Sequence, residues 1–126
     1  MRKFKFSERV KSFKYAFNGI RICLLREPNA WIHCCATILV ISLALFFHIT
    51  SVEWCLLLLC IGFVISAEIV NTAIEYILNF ISPEYHIKAG EIKDLAAGAV
   101  LIGACTSLLI GLVIFIPYLV TFFTQL

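Results

Sequence analysis

Charge is thin on this sequence. Only 14% of its 126 residues are charged, and the formal net charge is +2. That excess is too small to argue for nucleic acid, and no basic patch with interleaved aromatics appears. Familiar phosphate-cradling motifs are missing as well. There is no G-x-x-x-x-G-K-[ST], no G-x-G-x-x-G and no kinase catalytic loop. Zinc-type cysteine spacing is absent too. Among Cys23, Cys34, Cys35, Cys55, Cys60 and Cys105, two are adjacent and Cys55 and Cys60 are five apart. Thiols in such apolar settings behave as small hydrophobes. The N-terminus has basic residues but no early apolar core and no small-residue cleavage site, so no signal peptide is expected. No internal repeat, low-complexity tract or linker is visible.

What is present is hydrocarbon. Hydrophobic residues make up 62% of the chain and the mean hydropathy is +1.00. A soluble domain has roughly half apolar residues. The excess falls in long runs, which marks an all-α integral membrane protein of one domain, residues 1–126. Three spans are expected, at 31–49, 54–81 and 95–123. Each suffices to cross about 30 Å of hydrocarbon, which takes about 20 helical residues. The second and third are long enough to project past the membrane surface.

Direction follows from charge. Eight of the ten basic residues precede the first span: Arg2, Lys3, Lys5, Arg9, Lys11, Lys14, Arg21 and Arg26. The link "HITSVEW" between spans one and two has no Lys or Arg. The loop "SPEYHIKAGEIKD" between spans two and three carries Lys88 and Lys93. The positive-inside rule puts the N-terminus and the 82–94 loop in the cytoplasm. Residues 6–25 pattern as a surface helix. Val10, Phe13, Phe17, Ile20 and Leu24 line one side, and Arg9, Lys11, Lys14, Asn18 and Arg21 the other. Pro28 suits a first helical turn, which places Glu27 at the entry to span one.

Within span two lies "AEIVNTAIEY". At 100° per residue, Glu68, Asn71, Glu75 and Asn79 fall within about 80° of one another and form one stripe. A charge at the bilayer centre costs about 2.5–3.5 kcal/mol on insertion scales. Counting from Trp54 on the outer side, Glu68 lies about 21 Å along the helix, near the inner edge of the hydrocarbon, and Glu75 about 10 Å further. Three readings fit such a stripe: a hydrogen-bonded helix seam, an ion pathway, or a catalytic or binding site. Glu75 would need a second acid to hold a cation, and Glu27 is at the right depth. In the cytosolic loop, Lys93 offers a point charge suited to phosphate. Asp94 is placed to cap span three, to hold Lys93 or to hold a metal-bound water. Gly103, Ser107 and Gly111 make a small-xxx-small pattern for close helix packing, within the chain or between subunits. Three helices enclose little space, so a homo-oligomer is expected.

At these residues the sequence resembles the small prokaryotic lipid kinases, the family of bacterial diacylglycerol kinase and undecaprenol kinase. The carrying segments are "AEIVNTAIE" (67–75), "SPEYH" (82–86) and "KDLAAGAVLI" (93–102), with "FKYAFNGIR" (13–21) and "REPNAWIH" (26–33). The resemblance runs nearly the length of the chain. It implies a homotrimer of three membrane helices and one amphipathic surface helix per subunit, in the bacterial cytoplasmic (inner) membrane. It implies transfer of the ATP γ-phosphate to a membrane lipid hydroxyl, with no nucleic acid involved. Glu68 stands at the family's general base and lipid-binding position, with Asn71 beside the reacting groups. Glu27 and Glu75 match the acids that hold Mg²⁺ or another divalent ion. Tyr15, Glu75, Glu84, His86, Lys93 and Asp94 match nucleotide-side positions. "REPNAWIH", "SVEW" and "AAGAVLI" with a late "GLVIFIP" look closer to the undecaprenol kinase branch. His33 falls where the diacylglycerol kinase branch carries a second acid. Undecaprenol is therefore the expected acceptor, with diacylglycerol the alternative.

Overall fold

The computed structural model describes residues 6–84 and 86–125, with side-chain surroundings from Glu8 onward. Arg2, Lys3 and Lys5, which entered the charge count, and Tyr85 of "EYH" lie outside the described residues. Four helices follow in order: α1 (Phe6–Arg26), α2 (Pro28–Phe47), α3 (Ser51–Ile81) and α4 (Ile87–Thr124). Among the described residues there is no strand.

α1 carries Glu8 in its first turn and Arg26 in its last, each complementing the helix dipole. Most of its apolar residues stay uncovered by the rest of the chain, Cys23 near its end excepted. Val10, Phe13, Phe17 and Ile20 are all exposed, as a helix lying on lipid requires. The helix stops because Pro28 disfavours a helical conformation at Glu27. Glu27 is extended, with φ −105° and ψ 113°, and Pro28 opens α2 at once. The α1–α2 corner is therefore a single residue, and that residue is an acid.

α2, α3 and α4 are each long and apolar enough to cross a membrane. At 1.5 Å per residue they measure about 30, 46 and 57 Å. α2 ends at His48, which takes the left-handed conformation (φ 52°), and the Ile49 N–H closes onto the Ala44 carbonyl at 3.3 Å. α3 starts in a capping box. The Thr50 hydroxyl accepts from the Glu53 N–H, while the Glu53 carboxylate accepts from the Thr50 N–H at 2.8 Å. The same carboxylate accepts from the Tyr118 hydroxyl of α4 at 2.8 Å. This end of the bundle holds its apolar core, built on Ala44, Ile49, Leu57, Ile114 and Phe115.

α4 begins at Ile87, eight residues before the expected span. His86 caps it, its Nδ1 accepting from the Lys88 N–H at 3.2 Å. Asp94 therefore sits inside α4 and does not cap it, a correction to one of its expected roles. α3 and α4 pair along much of their length, and α2 packs more sparsely against both. Gly103 permits the close approach of α4 to α3. A Cβ there would stand 2.7 Å from Phe63 Cε1, whereas one at Gly111 would meet open space. Of the two glycines in the small-residue pattern, Gly103 is thus used within the chain and Gly111 is not.

Candidate active site

α3 buries one face along its length. Leu57, Val64, Glu68, Asn71 and Thr72 are its buried residues. The spacing is that of a single helical stripe. Its composition changes from apolar to polar at Glu68. The same face that seals the bundle with Leu57 and Val64 goes on to present carboxylate and amide. An ion path across the membrane would need polar groups along the whole face, and here it ends against hydrocarbon.

Glu68 is 2% exposed and Asn71 6%. Both hold a buried acceptor with no hydrogen-bond partner, Glu68 Oε1 and Asn71 Oδ1. Such groups are rare in proteins and call for a reason. The other Glu68 oxygen, Oε2, lies 4.0 Å from His33 Nε2 of α2. The Asn71 amide donates to Glu75 Oε1 at 3.4 Å, and Glu75 is half-buried. Glu27 and Glu75 both lie within electrostatic range of Glu68. A seam satisfied by its own hydrogen bonds does not describe this arrangement, because two of its acceptors are unsatisfied.

α1 closes the site from the side. The Cys23 thiol meets the Thr72 hydroxyl at 3.6 Å, and that hydroxyl donates to the Glu68 carbonyl at 2.9 Å. Burial pushes the Cys23 thiol above its usual range, and the Glu68 and Glu27 carboxylates add to the effect. Cys23 packs α1 against α3 here. Arg26 lies over the Tyr76 ring, 5.9 Å from its centroid, which ties the α1–α2 corner, and Glu27 with it, to α3.

At the far end of the stripe Asn79 is exposed, and its Oδ1 accepts from Lys93 Nζ at 2.8 Å. The structure thus brings Glu27, Glu68, Asn71, Glu75 and, through Asn79, Lys93 to one side of α3. It leaves Tyr15, Glu84, His86 and Asp94 exposed. Among the described residues none of these four hydrogen-bonds to a side chain of that group. The His33 contact and the Arg26–Tyr76 contact were not readable from spacing, since both join separate helices.

Among the described residues, no three His, Cys, Asp or Glu side chains converge into a ready-made ligand shell. The oxygen donors present nonetheless fit Mg²⁺. That ion is held by one or two carboxylates with waters and substrate phosphates rather than by an all-protein cage. Glu27, Glu75 and the unpartnered Asn71 Oδ1 are hard oxygen donors of this kind.

Fold and site together define a multi-pass membrane protein with buried carboxylate and amide groups toward one end of its spanning helices. A family model described as prokaryotic diacylglycerol kinase matches residues 14–115. An undecaprenol kinase from Bacillus subtilis is 38% identical over 109 residues, covering 86% of this chain and 89% of that protein. A diacylglycerol kinase from Synechocystis sp. is 32% identical over 111 residues, covering 87% of this chain and 63% of that protein. One from Escherichia coli K12 is 30% identical over 97 residues, covering 77% and 80%. The chain belongs to the prokaryotic diacylglycerol kinase family, and it is a lipid kinase.

Proposed function

We propose that this protein transfers the γ-phosphate of ATP to the hydroxyl of undecaprenol at the cytosolic face of the bacterial cytoplasmic membrane. The observation that carries the reading is the buried Glu68 with one unpartnered oxygen. Burying an unpaired carboxylate is costly, and a lipid hydroxyl arriving from the membrane is a donor that would satisfy it. Glu68 orients that hydroxyl and takes its proton as the lipid oxygen bonds to the γ-phosphorus. The bond from that phosphorus to the bridging oxygen breaks, and ADP leaves with the electron pair. Asn71 fixes the Glu75 carboxylate through its amide. Glu27 and Glu75 hold Mg²⁺, which neutralises phosphate charge when bound. Lys93, braced by Asn79, supplies a positive charge to the phosphates. Phosphoryl transfer asks mainly for positioning and charge neutralisation, so no P-loop is needed. Tyr15, Glu84, His86 and Asp94 are assigned to the nucleotide side of the site.

The Bacillus relative supports undecaprenol as acceptor, and the more distant relatives keep diacylglycerol as the second candidate. The basic N-terminal third supports a cytoplasmic N-terminus. The family resemblance supports a homotrimer, and the exposed apolar helix faces leave surface on which copies of the chain could pack.

The test is phosphate transfer from labelled ATP in mixed micelles, with undecaprenol and diacylglycerol offered separately. Undecaprenol labelling that Glu68→Gln abolishes is the expected result. Labelling of diacylglycerol alone would move the chain to the other substrate. A wild-type rate in Glu68→Gln would remove the mechanism.

A further inference from the structure

His33 lies between two spaces. On one side is an apolar groove of about 310 Å³ between α2, α3 and α4, lined by Ile32, His33, Val40, Cys60, Ile65 and Leu108 among others. On the other is a small crevice against α1 that His33 shares with Cys23 and Glu68. Of the side chains lining the groove, His33 is the one at ion-pair distance from Glu68. The two Glu68 oxygens are unequal. Oε2 faces the imidazole, and Oε1 has no partner.

We propose that His33 is a positioning residue for Glu68: it holds Oε2 and so leaves Oε1 as the oxygen that receives the acceptor hydroxyl. The proposal rests on the lipid-kinase reading and deepens it. A carboxylate without a partner can turn about its last bond, and its general-base oxygen is then undefined. One donor on Oε2 removes that freedom. At 4.0 Å the contact is longer than a hydrogen bond. Catalytic contacts commonly tighten once substrate is bound, and a bridging water would serve the same purpose. Glutamine keeps an N–H donor at this position, whereas leucine keeps only bulk.

Two measurements test the pairing, one of them independent of turnover. In the full-length protein in detergent, Glu68→Gln changes the ring-nitrogen resonances of His33, which are assigned by their loss in His33→Gln. Unchanged resonances overturn the pairing, whatever the enzyme does. In the kinase assay, His33→Leu lowers kcat about 10- to 100-fold, the loss of one hydrogen bond to a charged group. The KM for ATP and the melting temperature stay at wild-type values, and His33→Gln recovers most of the rate. A wild-type rate in His33→Leu overturns the proposal. So does an equal loss in both variants accompanied by a fall in melting temperature, which marks His33 as packing. Absence of transfer in the wild type would instead defeat the lipid-kinase reading, while the resonance experiment still decides the pairing.

Discussion

Glu68 keeps one carboxylate oxygen near His33 and the other without a partner, at 2% exposure. A site arranged this way trades stability for function. Removing the charge while keeping the shape should relieve the burial and remove the proposed base. Glu68→Gln is therefore expected to melt at or above the wild-type temperature in detergent. Its phosphate transfer should fall by about 10²- to 10⁴-fold, the usual contribution of a general base. A scan of thermal unfolding beside a rate assay checks both halves, and a large drop in melting temperature would mean that Glu68 is structural. Lys93 gives a second residue-scale expectation. Its ammonium donates to Asn79 Oδ1 at 2.8 Å and is held at the end of the stripe. Lys93→Met should raise the KM for ATP about tenfold, the loss of a charged contact, with the KM for lipid little changed. Asn79→Ala should do the same more weakly, because the lysine stays but loses its brace. Steady-state kinetics with each substrate varied in turn separate the two.

At the scale of the helix, α3 works as two devices in series. Its N-terminal half anchors the bundle, and its C-terminal half carries the candidate site. Glu68 lies eighteen positions after Thr50, about 27 Å along the axis. Thr50→Ala breaks the capping box and should cost about 1 kcal/mol of stability, with the rate per folded molecule unchanged. Denaturant unfolding paired with the kinase assay checks this, and a slowed rate would mean that the two halves communicate. Gly103 is the matching case on α4. The ring edge of Phe63 can swing aside for Gly103→Ala, whereas Gly103→Leu overpacks the α3–α4 contact by about 1–3 kcal/mol. The helices themselves were legible because hydrophobic run length reads directly as span. The stripe was legible because 3.6-residue periodicity places Glu68, Asn71 and Glu75 on one face. The early start of α4 was not. "IKAGEIKD" alternates charge with small residues and carries no apolar run to mark it as helix. Contacts between helices, such as His33 with Glu68 or Cys23 with Thr72, have no signature in one chain's spacing and needed the fold.

Taken whole, the chain covers little of its own apolar surface. Among the described residues no large side chain is fully buried, while Phe63, Phe80, Leu95, Leu101 and Val113 are among many that face outward. Lipid satisfies such faces, and so do further copies of the same chain. If copies assemble, the site residues fall into two groups. Glu68, Asn71 and Glu75 share one helix and must come from one subunit in any assembly. Tyr15, Glu84, His86 and Asp94 are exposed and, among the described residues, make no hydrogen bond to a side chain of that cluster, so a neighbouring subunit's copies are free to complete the site. Mixing inactive variants separates the two cases. Glu68→Gln combined with Glu75→Gln should recover nothing, because no subunit then carries an intact stripe. Glu68→Gln combined with Asp94→Asn should recover about one quarter of the wild-type rate. In a random assembly, half the sites keep Glu68 and half of those receive an intact Asp94 from the next chain. This arithmetic assumes free exchange of subunits, which the assay ensures by co-expression. Recovery in the first mixture would mean that the stripe does not act as a unit. No recovery in the second would place Asp94 in the same subunit's site as Glu68.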